Sequence, residues 1–252
     1  MEISSRILKM NVNITSLFDV TNLIINKFML ISHSSKYVCV SNVHMCMASF
    51  DSDSYQKVIN NADIVVPDGK PLVWAQKLLG HNMAKQVRGI DLTMALCDMA
   101  SKKGVHIGFY GSTNHILQKI IYNLNSDFKN LKVTYSFSPP FRKLSILEDR
   151  KIVEEINASD TKILFVGLGC PKQEEWMAAH KDVLQCTMIG VGAAFDFIAG
   201  NKKTAPLWMQ SMGLEWLFRL FSEPKRLWKR YLIHNPRFIW YFILQLSGKK
   251  YE

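Results

Sequence analysis

The sequence predicts an α/β fold: a mostly parallel sheet with helices on both faces, followed by a helical C-terminal appendage. Three observations predict it. Short apolar runs alternate with helical spacing through the first 200 residues, which is the rhythm of a parallel sheet covered on two sides. Turn glycines and polar side chains collect just after successive apolar runs, where such sheets bind ligands. Composition and charge then change near Gly200.

The elements follow in order. Tyr37–Ser41 (YVCVS) reads as a buried strand, and so do Ile64–Val66, His106–Tyr110, Leu131–Tyr135, Ile163–Val166 and Thr187–Val191. Between and before them, Val20–Met29 places Val20, Leu23, Ile24 and Phe28 at helical intervals, and Leu92–Met99 and His115–Leu124 behave likewise. Beyond residue 200, Met209, Met212, Trp216, Leu217, Leu220 and Phe221 fall on one apolar stripe, predicting a helix that Pro224 ends. A second short helix, Lys225–Ile233, groups Leu227, Trp228, Tyr231 and Leu232 and turns Arg226, Lys229 and Arg230 elsewhere. Pro236 predicts a break before Phe238–Leu246. That apolar, aromatic run is too short to cross a bilayer and long enough to lie on one. The expected domains are a core over 1–200 and a basic, aromatic-rich, membrane-associating appendage over 201–252.

Composition narrows the classes. The chain has 252 residues, 48% hydrophobic and 21% charged, which excludes wholesale disorder. The net charge is +10. Residues 201–252 hold 10 Lys/Arg against 3 Glu, so a nearly balanced body carries a basic tail. Phosphate, nucleic acid or an anionic membrane would suit such a tail, as would plain solubility charge. Cys39, Cys46, Cys97, Cys170 and Cys186 form no CxxC pair and read as reduced thiols of a cytosolic protein. The first residues are not read as a secretory signal.

The unusual residues sit at strand ends. Asn42 and His44 follow the first run, and Pro67-Asp68-Gly69 follows the second. Gly111-Ser112, the segment Gly167–Gln173 and the segment Gly190–Asp196 follow later ones. Neither Gly167-Leu-Gly169 nor Gly190-Val-Gly192 completes a dinucleotide fingerprint, so a nicotinamide or flavin enzyme is poorly supported. Asp51-Ser-Asp53 matches a metal-holding pattern of sugar transferases, but its setting favours a polar turn or helix cap. His44 is a substrate contact or a structural histidine. Asp68 is the sharpest candidate. Pro67 fixes one backbone angle, Gly69 permits a tight turn, and apolar surroundings would raise the carboxyl towards a useful base. The plain alternative is a Pro-Asp-Gly turn and nothing more.

Seven segments appear together and in order: VSNVHM (Val40–Met45), ADIVVPDGKPLVW (Ala62–Trp74), VRGIDL (Val87–Leu92), GFYGS (Gly108–Ser112), FVGLGCPKQEEW (Phe165–Trp176), GVGAAFDFIAG (Gly190–Gly200) and Ala205–Tyr231. Over roughly residues 35 to 232 the chain resembles the WecG/TagA/CpsF glycosyltransferases of bacterial surface-polysaccharide synthesis. The resemblance implies a Rossmann-like core and an inverting transfer of a hexose or N-acetylhexosamine, of N-acetylmannosamine type, from a UDP-sugar. The acceptor it implies is a polyprenyl-diphosphate-linked sugar at the cytoplasmic face of the membrane. It implies no cofactor beyond the UDP-sugar donor and no metal. It makes Asp68 the base and Gln173 an active-site residue, with Arg219, Arg226 and Arg230 of the appendage completing the site. Arg88, Asp91, Gly111, Ser112, Gly169 and Asp196 are candidate substrate contacts within the same segments. Many members carry Thr-x-Asn-x-Glu after the first strand. Here Asn42 is retained, while Val40 and His44 replace the Thr and the acid.

The expected chemistry is a single displacement. Asp68 takes the acceptor hydroxyl's proton while UDP leaves, with backbone N–H groups at Gly111–Ser112 and an arginine fork on the leaving diphosphate. The competing class is a non-enzymatic membrane-surface or nucleic-acid-binding protein. It explains the charge split and leaves the polar strand ends unexplained. Nucleic acid is not expected, because the aromatics follow an apolar stripe rather than a basic groove. The same stripe would serve a homo-oligomer as an interface.

Overall fold

The computed structural model describes residues 3–28 and 35–251, so Met29, the end of the first expected helix, lies outside the described residues. An antiparallel hairpin opens the chain, β1 (Ser4–Ile7) and β2 (Met10–Asn13). Helix α1 (Leu17–Asn22) runs into a π-helical stretch, Leu23–Phe28. Strand β3 (Lys36–Ser41) leads to α2 (Val43–Asp51) and α3 (Asp53–Asn60), and β4 (Ile64–Pro67) leads to α4 (Lys70–Leu78). Next come α5 (Gly89–Lys103), β5 (His106–Gly111), α6 (Asn114–Asp127), β6 (Lys132–Phe137) and α7 (Ile146–Ala158). Then follow β7 (Ile163–Gly167), α8 (Lys172–His180), β8 (Thr187–Gly190) and α9 (Ala194–Ile198). The chain closes with α10 (Leu207–Ser211), α11 (Glu215–Ser222) and α12 (Pro224–Leu246).

The larger sheet has the order β4-β3-β8-β7-β5-β6. The pairs β3–β8, β8–β7, β7–β5 and β5–β6 are all parallel. This is the mixed α/β fold with a mostly parallel sheet and a C-terminal helical extension that the apolar runs predict. The chain divides into two compact units, one built from Met1–Ser16, Val40–Arg88 and Lys203–Glu252, the other from Leu17–Cys39 and Gly89–Lys202.

The second of these units holds most of the sheet. Val38, Phe109, Phe165 and Ile189 are fully buried, as strands covered on both faces require. Phe109 stacks on Phe165 at 5.4 Å and meets Phe195 edge-on at 5.6 Å. β6 corrects an expectation. It forms, but it is an edge strand whose Lys132, Thr134 and Ser136 are exposed. The ends of β5 and β7 approach closely at Gly111 (φ +117°), where a Cβ would lie 2.6 Å from the Gly167 backbone. Only glycine fits there.

The first unit joins the hairpin, α2 to α4 and the tail helices. β2 packs on β4, and α12 packs on α2, burying Leu227, Phe238 and Phe242. The expected break at Pro236 does not occur; Pro236 lies inside the 23-residue α12. A helix-interior proline loses one N–H bond. Packing on both sides outweighs that loss: before the proline Arg230 bonds Asn42 at 3.1 Å, and after it Arg237 grips Asp51 at 2.7 and 2.9 Å and Gln245 bonds Leu8 N and Arg6 O at 2.8 Å. The expected continuous stripe from Met209 to Phe221 is split instead at Gly213. This residue takes φ +75°, and a Cβ would come within 2.8 Å of the Trp74 ring. Among the described residues, no helix is long and apolar enough to cross a membrane.

Candidate active site

In the first unit, backbone bonding fixes Asp68. Ser41 ends β3. Its Oγ donates to the Val66 carbonyl at 2.9 Å, and its own carbonyl accepts from Asp68 N at 2.8 Å and Gly69 N at 3.3 Å. Val87 N donates to the Pro67 carbonyl at 2.9 Å, and Gln86 Nε2 to the Asp68 carbonyl at 2.6 Å. Gly69 adopts an ordinary extended φ of −83° and caps α4, with Pro71 in the first turn. The expected need for glycine freedom therefore does not arise there. Asp68 stands one residue before a helix N-terminus, where negative charge is favoured.

Asp68 lines a cavity with Asn42, His44, Lys70, Gln86, Glu215, Trp216, Arg219, Arg230, Tyr231 and Asn235. Asn42 caps α2. Its Oδ1 accepts from His44 N at 3.1 Å, from Met45 N at 3.3 Å and from the Arg230 guanidinium at 3.1 Å. One amide oxygen therefore ties the end of β3 to α12. The His44 ring meets His234 edge-on, with centroids 5.0 Å apart. Burial, then the nearby Arg230 charge and His234, push the His44 pKa down to about 4. Burial, Arg237 and Arg230 push His234 down too, against the pull of Asp51. Both rings are neutral at pH 7, and each has a buried Nδ1 with no hydrogen-bond partner. Arg88 donates to Gln210, itself on the cavity wall.

The second unit treats its polar groups differently. Ser112 N donates to the Gly167 carbonyl at 3.2 Å, and the Ser112 carbonyl accepts from Ser138 Oγ at 2.7 Å. Gln173 is buried; its Oε1 accepts from Gly169 N at 3.1 Å and its Nε2 donates to the buried Glu174 at 2.6 Å. Asp196 pairs with Lys202 at 2.6 Å. Asp91 lies in the first turn of α5. A groove in this unit is lined by Tyr110, Ser112, Gly167, Lys172, Trp176, Asp149 and the segment 139–146.

Of the residues expected from sequence, Asn42, His44, Asp68, Arg219 and Arg230 share the first unit's cavity. Arg226 does not line it: its guanidinium holds Glu223 at 2.7 and 2.9 Å and is half exposed. Asp91, Gly111, Ser112, Gly169, Gln173 and Asp196 belong to the second unit, and of these Ser112 reaches its groove. Sequence reasoning missed Lys70, Gln86, Glu215 and Asn235. It counted Trp216 and Tyr231 only as apolar-face residues. The available signal for Gln86 was its place directly before VRGIDL. Asp51 pairs with Arg237 and Asp53 with Lys9, while Ser52 caps α3. Among the described residues, no group of three or more His, Cys, Asp or Glu could hold a metal ion.

The model of the glycosyl transferase WecG/TagA/CpsF family matches residues 5–251. Three similar proteins each carry the name N-acetylglucosaminyldiphosphoundecaprenol N-acetyl-beta-D-mannosaminyltransferase. That of Bacillus spizizenii W23 is 29% identical over 204 residues, covering 81% of this chain and 77% of the relative. That of Bacillus subtilis 168 is 28% identical over 242 residues, covering 95% and 90%. That of Staphylococcus aureus MW2 is 29% identical over 197 residues, covering 78% and 76%. This match over nearly the whole length leaves a non-enzymatic binding protein without support, and the chain belongs to the WecG/TagA/CpsF family of glycosyltransferases.

Proposed function

We propose that the enzyme moves a hexose or N-acetylhexosamine, of N-acetylmannosamine type, from a UDP-sugar to a polyprenyl-diphosphate-linked sugar, with inversion. The names of the relatives support that donor and acceptor class. The observation that carries the mechanism is the Asp68 turn, pinned by three backbone–backbone bonds and the Gln86 side chain and set in one cavity with Arg219 and Arg230.

Asp68 takes the proton of the acceptor hydroxyl as its oxygen bonds to the anomeric carbon. The bond from that carbon to the phosphate oxygen breaks, and its electron pair leaves with UDP. General-base assistance contributes about 10²–10⁴-fold. Arg219 and Arg230 donate to phosphate oxygens, and charge-assisted bonds of this kind are the strong ones. Gln173 serves by holding the Gly169 loop. The tail exposes Trp208, Met212, Phe221 and Trp240 close in sequence to Lys225, Arg226 and Lys229. We assign it to an anionic membrane surface, where each basic residue adds about 1 kcal/mol.

The test is Asp68→Asn in the full chain, assayed with UDP-N-acetylmannosamine and a short-chain polyprenyl-diphosphate N-acetylglucosamine. Product formation should fall about 10²–10⁴-fold, while UDP still raises the melting temperature. Undiminished product overturns the mechanism.

A further inference from the structure

Two aromatic rings share the cavity with Asp68 and have no part in the mechanism above: Trp216 of α11 and Tyr231 of α12. Their centroids lie 5.7 Å apart with planes at 57°. At that angle the rings are tilted against each other rather than stacked, and both line the cavity. Both are half-buried. The chain places them with some care. The Gly213 turn, tight against Trp74, sets where α11 starts. Tyr231 directly follows Arg230, which is anchored to Asn42 at 3.1 Å.

A pyranose ring is two-sided in its chemistry. Its hydroxyls point outward around the rim, and its faces present C–H bonds. Aromatic faces carry negative partial charge and attract such C–H edges, whereas rim hydroxyls need carboxylates and amides. The cavity offers both, since Asp68, Glu215 and Asn235 line it beside the two rings.

We propose that Trp216 and Tyr231 form the platform for the terminal pyranose of the acceptor and so help to set which lipid-linked sugar is accepted. This rests on reading Asp68 as the base that deprotonates that sugar. The acceptor, rather than the donor, is favoured by position. α11 and α12 carry the platform. The same stretch of chain exposes Phe221, Trp228 and Trp240, the kind of surface that meets a polyprenyl chain. A nucleotide sugar has no such lipid.

The test measures binding of a soluble acceptor analogue, an alkyl-diphosphate N-acetylglucosamine, to the full chain by calorimetry, alongside KM for acceptor and for UDP-sugar. Trp216→Ala and Tyr231→Ala should weaken analogue binding and raise the acceptor KM about tenfold, leaving the UDP-sugar KM unchanged. Tyr231→Phe should restore both, because the ring face remains. Trp216→Leu, which keeps apolar bulk and guards against misfolding, should behave like Trp216→Ala. Wild-type binding in the Ala or Leu variants overturns the platform, and so does a rise confined to the UDP-sugar KM. Binding that depends on the rings without any product upholds the platform and overturns the transfer reading. Product that is indifferent to the rings does the reverse.

Discussion

Around Asp68 the first unit gathers side chains from far apart in the chain: the Arg230–Asn42 bond alone spans 188 residues. In the second unit, the side chains of Gln173 and Asp196 are satisfied locally. Gln173 bonds the residue beside it and one four positions back, and Asp196 pairs six residues on. The difference separates two tasks. Long-range contacts assemble a cavity whose shape depends on the tail, whereas local bonds stiffen loops at the ends of strands. Residues of the first kind should reveal themselves in activity, and those of the second in stability.

The largest effect that would break this contrast comes from Arg230. Arg230→Ala should lower kcat/KM about 10²-fold, as loss of one donor to a developing charge does, with a melting temperature close to wild type. A variant that melts early and keeps its rate would reverse the assignment. Gln173→Ala sharpens the other side. Its amide satisfies Gly169 N and contacts Glu174 inside the core, so its removal should cost about 1–3 kcal/mol in chemical denaturation. Unchanged stability would deny Gln173 its structural task.

The smallest effect concerns acid. The folded chain holds His44 near a pKa of about 4 against an ordinary 6.5. Between those values the unfolded chain binds a proton that the folded one refuses, so stability falls as pH drops through that window and is fully present above it. His44→Phe should lose less melting temperature between pH 7 and pH 4.5 than wild type does. Equal losses would mean that the ring is not held neutral.

The sheet was legible because a strand buried on both faces is a continuous apolar run bounded by turn residues. The burial of β6 was misread, since Leu131 is buried but precedes the strand and Lys132 begins an exposed edge. The β1–β2 hairpin gave no clear signal: each strand has four residues, and Ser, Arg and Asn dilute the alternation. Pro236 and Gly213 misled in opposite directions. Tertiary packing carried a helix through the first, while contact with Trp74 fixed a turn at the second. Asp68, Asn42 and His44 could be found from sequence because each follows a strand end. Trp216 and Tyr231 could not, because a ring on an amphipathic helix looks the same whether it faces a core or a ligand.

The three-part first unit has a consequence for how the enzyme is made. Asp68 leaves the ribosome well before Leu227, Phe238 and Phe242 of α12, which its unit buries. The Asp68 cavity is therefore completed only once α12 has emerged, and a chain cut before that helix lacks the Arg230 and Tyr231 that form part of its wall.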